Sequence, residues 1–430
     1  MTRFQPKSTA PVPERAILVG VDFGKSEWPL EQSMAELERL THTDDAEVVA
    51  KVTQRLEKPV PRTFIGSGKA QELVRMVHEL DADVVIFDDE LTPSQQGNLE
   101  RIFGEPTKVI DRTALILDIF GKHAKTHEGR LQVQLAQLQY VLPRLRGMWS
   151  HLVGEQTRGG IGSRFGQGES QLEVDRRLIR DRISWLRREL GELEKRRGVQ
   201  SKARWDSGVY RVALVGYTNA GKSTLLNLLT NADVYAKDEL FATLDPTTRS
   251  LVLDEGRKVT LTDTVGFIQK LPTTLVESFN STLAEAKAAD LILKVTDAAD
   301  PNRDKELRAV DEVLKQIGAS DINSVVVYNK CDLLGEAELT RLQAANQDAI
   351  CISSLESMGI RGLLYRIAQE ASKNDVMMSA LIPYGKGFLQ KLVHESSQII
   401  REQYLPEGFL ITAKVPPRIA DALKPYQTEE

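Results

Sequence analysis

The chain has 430 residues, and 41% of them are hydrophobic, which is enough for packed cores and excludes an unstructured polypeptide. Its length favours about three domains. The formal net charge is −5, and the two cysteines, Cys331 and Cys351, exclude a disulfide framework and fit a reducing compartment. No apolar run approaches the roughly 18 residues of a membrane span, and residues 1–6 lack a signal-like apolar core. We therefore expect a cytoplasmic protein without a membrane span.

Residues 1–128 predict an α/β domain. Four runs have the composition of strands, at 16–21, 61–65, 84–87 and 108–110, and helix-like segments alternate with them. The string 92–95, Thr-Pro-Ser-Gln, supplies an N-cap, a proline at the first helical position and a capping glutamine. The string 66–69, Gly-Ser-Gly-Lys, is too short for a complete phosphate loop, so we interpret it as a turn followed by a helix start.

Residues 129–205 predict a helical hairpin. Two apolar stripes repeat at alternating spacings of four and three residues, so each helix can bury one face against the other as an antiparallel coiled pair. The first stripe comprises Leu131, Leu135, Leu138, Leu142 and Leu145, and the second comprises Ile179, Ile183, Leu186, Leu190 and Leu193.

A glycine-rich segment at 158–169 separates the two predicted helices and contains Arg158, Arg164 and Phe165. Residues 151–205 hold 13 lysines and arginines against eight acidic residues, so this arm is basic although the whole chain is acidic. Glycines permit close approach to structured RNA, where arginines contact phosphates or stack on bases. We therefore predict RNA contacts at these three residues. Two alternatives are a solvated loop whose charges maintain solubility and a cap over the protein's own nucleotide site.

Residues 206–375 begin with a phosphate-binding loop. It follows an apolar run at 212–215 and precedes a helix-like run at 223–229, which is the context that such a loop requires. Two glycines let the backbone N–H groups point at phosphates, the lysine neutralises β and γ oxygens, and the serine ligates Mg²⁺. The residues that we expect around the phosphates are Gly216, Tyr217, Thr218, Asn219, Ala220, Gly221, Lys222, Ser223 and Thr224.

Two further segments predict the rest of a site for Mg²⁺ and the γ-phosphate. Asp263 and Gly266 follow a strand-like run at 259–261, where a carboxylate holds Mg²⁺ through water and a glycine senses the γ-phosphate. Thr243 is our choice for the switch threonine on Mg²⁺, and Thr247 and Thr248 are alternatives. The predicted metal ligands are Ser223, Thr243 and Asp263, and the predicted catalytic residues are Lys222, Thr243, Gly266 and Asn219.

The tetrad Asn329-Lys330-Cys331-Asp332 predicts that the base is guanine. It follows a strand-like run at 325–328, so Asn329 and Asp332 should lie at the ligand-binding edge of a parallel sheet. The Asp332 carboxylate can accept hydrogen bonds from guanine N1–H and the 2-amino group, whereas adenine leaves it unpaired, a difference of roughly 10⁴-fold. Ser353 and Ser354 fit the last base-contacting loop. The expected ligands are therefore GTP and GDP.

Phe267 occupies the position where Ras-like enzymes place the glutamine that orients water. We therefore expect slow unaided hydrolysis. By analogy with other GTPases that have an apolar residue here, Asn219 suggests that K⁺ near the phosphates offsets the developing charge. The alternative is an asparagine that only stabilises the turn of the loop.

The chain as a whole resembles the HflX-type GTPases. The strings that carry the resemblance include Phe-Ile-Gly-Ser-Gly-Lys-Ala at 64–70, Val-Ile-Asp-Arg-Thr-Ala-Leu-Ile-Leu-Asp-Ile-Phe at 109–120, Leu-Gln-Val-Gln-Leu-Ala-Gln-Leu-Gln-Tyr at 131–140, Phe-Ala-Thr-Leu-Asp-Pro-Thr-Thr-Arg at 241–249 and Asp-Thr-Val-Gly-Phe-Ile-Gln-Lys-Leu-Pro at 263–272. We expect an α/β chain with an N-terminal α/β domain, a helical coiled hairpin, a P-loop GTPase domain and a small C-terminal α/β domain at 376–430 that includes a strand at 409–415.

The resemblance implies a ribosome-associated GTPase that binds the large ribosomal subunit and its rRNA. It also implies that the GTP-bound protein splits stalled or idle 70S ribosomes under stress, and we expect it to act as a monomer. One alternative is an RNA-binding GTPase that serves assembly of the large subunit. Another is a nucleotide-dependent signalling scaffold that has only protein partners, in which the basic arm is incidental.

Overall fold

The chain folds as the mixed α/β protein that its sequence predicts. A computed structural model describes residues 13–24, 28–148, 171–206, 209–230, 240–241, 243–270 and 280–428. The chain divides into two units, one formed by Met1–Lys122 with Arg130–Arg187 and the other by His123–Gly129 with Arg188–Glu430. Within the described residues, no helix is both long and apolar enough to cross a membrane. The predicted division into four domains, at 1–128, 129–205, 206–375 and 376–430, stays a prediction.

The first unit contains a parallel four-stranded sheet in the order β2-β1-β3-β4. The inner strands β1 and β3 are almost continuously apolar because helices cover both faces of such a sheet. The strands are β1 (Arg15–Asp22), β2 (Glu47–Arg55), β3 (Val84–Phe87) and β4 (Lys108–Asp111), and the helices are α1 (Leu30–Thr43), α2 (Ser67–Glu79), α3 (Pro93–Phe103) and α4 (Arg112–His123).

The predicted strand at 61–65 is wrong. These residues form a turn closed by an isolated bridge between Val60 and Phe64, and Pro61 has no N–H to give to a sheet. The strand that was missed is β2, an edge strand with little continuous burial, so its apolar pattern is weak. The capping box that begins α3 is confirmed, since Thr92 and Gln95 bond reciprocally, and so is the helix start after Gly66.

Two long helices, α5 (His127–Met148) and α6 (Gln171–Asp206), correspond to the predicted hairpin. Leu131, Leu135 and Leu145 of the first predicted stripe are buried on α5, and Ile183 and Leu186 of the second are buried on α6. Arg182 on α6 donates a hydrogen bond to Gln134 on α5 at 3.0 Å, so the helices are neighbours. The predicted RNA contacts at Arg158, Arg164 and Phe165 lie outside the described residues.

The second unit contains a six-stranded sheet in the order β10-β9-β8-β5-β7-β6, which is parallel except for β6. Its strands are β5 (Tyr210–Gly216), β6 (Thr247–Val252), β7 (Lys258–Asp263), β8 (Leu291–Asp297), β9 (Ser324–Asn329) and β10 (Ile350–Cys351). Its helices are α7 (Lys222–Thr230), α8 (Asn280–Lys287), α9 (Arg303–Gln316), α10 (Glu336–Ala345) and α11 (Ile360–Ser372). The carboxyl ends of β5, β7, β8 and β9 meet at one edge, where parallel sheets bind ligands.

A three-stranded antiparallel sheet in the order β11-β13-β12 follows in the same unit. It is formed by β11 (Val376–Pro383), β12 (Gln398–Leu405) and β13 (Gly408–Val415), with α12 (Gly387–Ser396) and α13 (Pro417–Leu423). The predicted strand at 409–415 is therefore confirmed. Arg257, which is 1% exposed, bonds to the carbonyl of Ala371 at 2.6 Å and pairs with Asp375, so this sheet is anchored next to α11.

Candidate nucleotide site

The predicted phosphate loop connects the end of β5 to the start of α7. Asn219 and Gly221 have φ of +61° and +89°, so the loop passes twice through the left-handed region. A Cβ at Gly216 would lie 2.0 Å from the carbonyl oxygen of Val295, and one at Gly221 would lie 2.2 Å from Asn329 Nδ2. Both positions therefore favour glycine, because a side chain at Gly216 would press on the backbone of β8 and one at Gly221 would displace the Asn329 amide and strain the left-handed backbone.

Lys222 begins α7 and is only 6% exposed. Its Nζ donates hydrogen bonds to the carbonyl oxygens of Gly216 at 3.1 Å and Tyr217 at 2.7 Å. Burial lowers the pKa of Lys222 to about 8, against the weaker opposing effect of the Asp263 and Glu306 charges. A buried ammonium group held inside the loop by carbonyl oxygens is suited to contact with an anionic ligand.

The three predicted metal ligands lie together. Ser223 Oγ is 2.8 Å from Thr243 Oγ1 and donates a hydrogen bond to Asp263 Oδ2 at 2.6 Å. The rival Thr248 instead pairs with Thr262 across β6 and β7. Asp263 Oδ1 and Thr218 Oγ1 are two of the buried side-chain atoms that have no hydrogen-bond partner in the described part of the chain. Burial raises the pKa of Asp263 above its ordinary range.

This cluster fits a small hard cation. Its donors are one carboxylate and two hydroxyls, and oxygen ligands are those that Mg²⁺ prefers, usually completed by water and phosphate oxygens. In the part of the chain that the structure describes, no group of three or more His, Cys, Asp or Glu side chains could hold a metal. A cation at this edge of the sheet would thus depend on the hydroxyls and on oxygens that a ligand supplies.

The segment after Asp263 is bonded directly to the phosphate loop. Phe267 donates its N–H to the Gly216 carbonyl at 3.1 Å and accepts the Thr218 N–H at 2.7 Å. A Cβ at Gly266 would lie 2.8 Å from Thr218 Cγ2 and 3.2 Å from Lys222 Nζ. The Phe267 ring is 1% exposed, so the side chain at this position is packed in the core and carries no group that could orient water.

The tetrad lies at the end of β9, on the same sheet edge. Asn329 donates to the carbonyl of Ala220 at 2.9 Å, and its Oδ1 accepts hydrogen bonds from the N–H and hydroxyl of Ser354. Asn329 thereby connects the phosphate loop to residues 353–354 through hydrogen bonds. Asp332 lies exposed in a short 3₁₀ helix, Cys331–Leu333. In that helix Cys331 is buried, and its Sγ donates to the Tyr328 carbonyl at 3.3 Å.

Sequence reasoning missed Asp297. Its carboxylate pairs with Lys330 Nζ at 2.8 Å, and Lys330 has a left-handed φ of +61°, so the ion pair fixes the tetrad's strained second residue. Asp297 is the last residue of β8 and lies opposite Asn329 in the parallel register. A charged residue at the carboxyl end of a buried strand was the available signal.

The strand-loop-helix at Gly216 to Lys222, the hydroxyl and carboxylate cluster and the Asn-Lys-x-Asp edge define a P-loop GTPase. The chain matches three family models, described as "GTP-binding GTPase N-terminal" at 31–121, "GTP-binding GTPase Middle Region" at 123–204 and "50S ribosome-binding GTPase" at 211–330. It is 46% identical to "GTPase HflX" of Caldanaerobacter subterraneus subsp. tengcongensis, over 96% of this chain and 94% of that protein. The chain therefore belongs to the HflX family of GTPases.

Two other relatives span similar lengths. "GTPase HflX" of Lacrimispora saccharolytica is 42% identical, over 96% of this chain and 96% of that protein. "GTPase HflX" of Escherichia coli K12 is 40% identical, over 95% of this chain and 94% of that protein. The resemblance that the sequence motifs predict is thus confirmed over nearly the whole chain, and family membership implies that the chain binds GTP and GDP.

Proposed function

We propose that this cytoplasmic protein is a GTP-hydrolysing switch that binds the large ribosomal subunit as a monomer and dissociates stalled or idle 70S ribosomes under stress. The observation that carries the proposal is the Ser223, Thr243 and Asp263 cluster beside buried Lys222. Family membership supports the GTPase activity, and the description "50S ribosome-binding GTPase" of the model matched at 211–330 supports the ribosomal partner.

In this proposal, each group of residues at the sheet edge has one task. Lys222 donates hydrogen bonds to phosphate oxygens, and Ser223, Thr243 and Asp263 hold Mg²⁺. When bound, the metal neutralises charge on the β and γ oxygens. Asn329 keeps the phosphate loop and residues 353–354 at a fixed separation, and Asp332 selects guanine. GTP orders the segments around Thr243 and Gly266, and hydrolysis releases them.

A groove of about 790 Å³ in the first unit supports a polyanionic partner. Arg101 on α3 and Arg176 and Arg180 on α6 contribute to its walls, and Pro93 and Pro143 supply apolar surface. None of the described residues that line it is acidic. Arg176 and Arg180 are four residues apart and thus share one face of α6, where RNA phosphates could bind both.

Large ribosomal subunits are expected to stimulate GTP hydrolysis in K⁺ buffer, and two double variants test the arm. Arg158→Ala/Arg164→Ala removes the predicted tip contacts, and Arg176→Ala/Arg180→Ala removes two arginines from the groove. If each pair contacts phosphates, each variant should weaken subunit binding about tenfold. It should also lower the slope of log binding constant against log salt concentration by about 2, without changing the rate of GTP hydrolysis in the absence of ribosomes.

A matched control separates specific contacts from total charge. Arg187→Ala/Arg188→Ala removes two exposed arginines from the same helix outside the groove. Full stimulation in this control, together with its loss in the other two variants, supports the contacts. Equal losses in all three would assign the effect to net charge, and an absence of stimulation in the unmodified protein would contradict the ribosomal partner.

Sedimentation of 70S ribosomes with the protein and a non-hydrolysable GTP analogue tests the splitting step. Free subunits are expected, because the GTP-bound state is the proposed splitting form. Selective binding to immature large subunits would favour the assembly role instead. Absence of co-sedimentation would leave a scaffold with protein partners.

We also propose that Asn219 holds K⁺ near the phosphates. The GTPase rate should then be about tenfold higher in KCl than in NaCl at equal ionic strength. Asn219→Gly is the informative variant, because glycine retains the φ of +61° but lacks the amide group. Loss of the K⁺ effect with unchanged GTP affinity supports the cation site. A persistent K⁺ effect would assign Asn219 to the turn alone.

A further inference from the structure

The carboxylate of Asp245 connects the segment that contains Thr243 with the start of α5. Its Oδ2 accepts hydrogen bonds from the backbone N–H groups of Lys125 at 3.1 Å and Thr126 at 2.8 Å, and its Oδ1 accepts one from the Thr126 hydroxyl. That hydroxyl in turn accepts the Gly129 N–H at 2.9 Å, as an N-cap residue does for the third residue of its helix. All of these residues belong to the second unit.

The N-terminus of α5 therefore depends on a side chain 119 positions away in sequence. The first N–H groups of a helix have no partner within the helix and need an external acceptor. The Thr126 hydroxyl accepts a hydrogen bond from the first turn of α5, and the Asp245 carboxylate accepts the two N–H groups that precede this turn. The cap of α5 is thus shared between Thr126 and Asp245.

The same segment reaches the candidate metal cluster. Thr243 is two residues before Asp245, and its hydroxyl lies 2.8 Å from Ser223 Oγ. Leu244 between them is 2% exposed, so it fixes the intervening backbone in the core. Because the spacer is this short and buried, the position of Thr243 beside Ser223 and the position of Asp245 on residues 125–126 depend on one another.

We infer that Asp245 is a positioning residue that couples the nucleotide bound at Thr243 to the first turn of α5. The inference rests on the proposed GTP switch. A nucleotide that holds Thr243 in the cluster strengthens the cap, and by linkage an intact cap favours that nucleotide by the same factor. The nucleotide therefore changes the stability of the first turn of α5, a helix that continues to Met148.

Gly129 provides a second and independent way to disturb the contact. A Cβ at this position would lie 2.3 Å from Asp245 Oδ1 and 3.1 Å from Thr126 Oγ1. Alanine ordinarily stabilises a helix relative to glycine. Here Gly129→Ala should leave α5 helical and yet displace the Asp245 carboxylate.

Hydrogen exchange over residues 123–129, measured on the full chain with Mg²⁺, tests the coupling directly. The N–H groups of Lys125 and Thr126 should exchange about tenfold more slowly with a non-hydrolysable GTP analogue than with GDP. Asp245→Ala and Gly129→Ala should remove this difference. Asp245→Asn keeps one carbonyl acceptor and should retain part of it.

Thr340→Val is the control, because it removes a threonine hydroxyl bonded to the carbonyl of Glu336 on α10 of the same unit. Binding of both nucleotides is measured for every variant by fluorescence titration. Equal exchange in the two complexes of the unmodified protein would overturn the inference, and so would a difference that survives in Asp245→Ala. An unmodified protein that binds neither nucleotide would overturn the proposed function and this inference with it.

Discussion

Asp332→Asn is expected to reverse the choice of base, lowering the affinity for GTP about 10³-fold and making xanthosine triphosphate the better ligand. In the proposed site the carboxylate accepts two hydrogen bonds from guanine, whereas an amide offers one acceptor and opposes its own N–H₂ to the 2-amino group. Xanthine has a carbonyl at that position and accepts from the amide. Competition titrations with both nucleotides measure the change.

The position of Asp332 makes this substitution a clean test. The side chain is exposed in a short 3₁₀ helix, while the side-chain bonds of the tetrad are made by Asn329, Lys330 and Cys331. The variant should therefore unfold at the same temperature as the unmodified protein. Asp348→Asn changes another exposed aspartate of the second unit and should leave GTP affinity unchanged. An unchanged preference of Asp332→Asn for GTP over xanthosine triphosphate would show that Asp332 does not read the base.

Lys222→Met is expected to lower kcat/KM for GTP by roughly 10² to 10³, because it removes a preorganised cation from the phosphate oxygens. The unmodified protein should also show a characteristic pH dependence. Without nucleotide the pKa of Lys222 is about 8, so its ammonium group begins to lose its proton as the pH rises through this value. Phosphate binding favours the charged form, so affinity should fall by up to tenfold per pH unit above pH 8.

The lowered pKa of Lys222 also makes the free energy of unfolding depend on pH. Between pH 8 and 10.5 the unfolded chain binds the Lys222 proton more tightly than the folded protein does, so the free energy of unfolding should rise with pH in that window. Lys222→Met should lose the pH dependence of both nucleotide affinity and stability. Lys294→Met, which removes a lysine on β8 that pairs with Asp311, should keep both. Calorimetric titration with nucleotide in buffers of different ionisation enthalpy counts the protons that the protein takes up on binding. Equal uptake in Lys222→Met and the unmodified protein would contradict the assignment to Lys222.

The structure confirms the strand-loop-helix context of the phosphate loop and the capping box of α3, but not the strand predicted at 61–65. The context of the phosphate loop is contiguous from β5 to α7, and the capping box of α3 lies within four residues, so both can be recognised without knowledge of the tertiary structure. The choice of Thr243 over its neighbours rested on the sequence pattern alone. The structure brings Thr243 to Ser223, although its role as a metal ligand stays a prediction.

The residues that escaped prediction act over long distances in sequence. Asp297 supports Lys330 from the adjacent strand, and Asp245 supports Thr126 from 119 positions away, so neither contact leaves a periodic or contiguous pattern. The edge strand β2 was missed for a related reason. An edge strand with little continuous burial has a weak apolar pattern, and only its pairing with β1 identifies it.

The buried thiol of Cys331 has a consequence for chemical durability. Cys331 lies inside the tetrad that we propose reads guanine, so an oxidised or alkylated sulfur would be harmful to nucleotide binding there. Burial raises the pKa of Cys331 to about 12, so the reactive thiolate is scarce at neutral pH. Burial therefore protects the sulfur of Cys331 from peroxides and alkylating agents, which react with the thiolate.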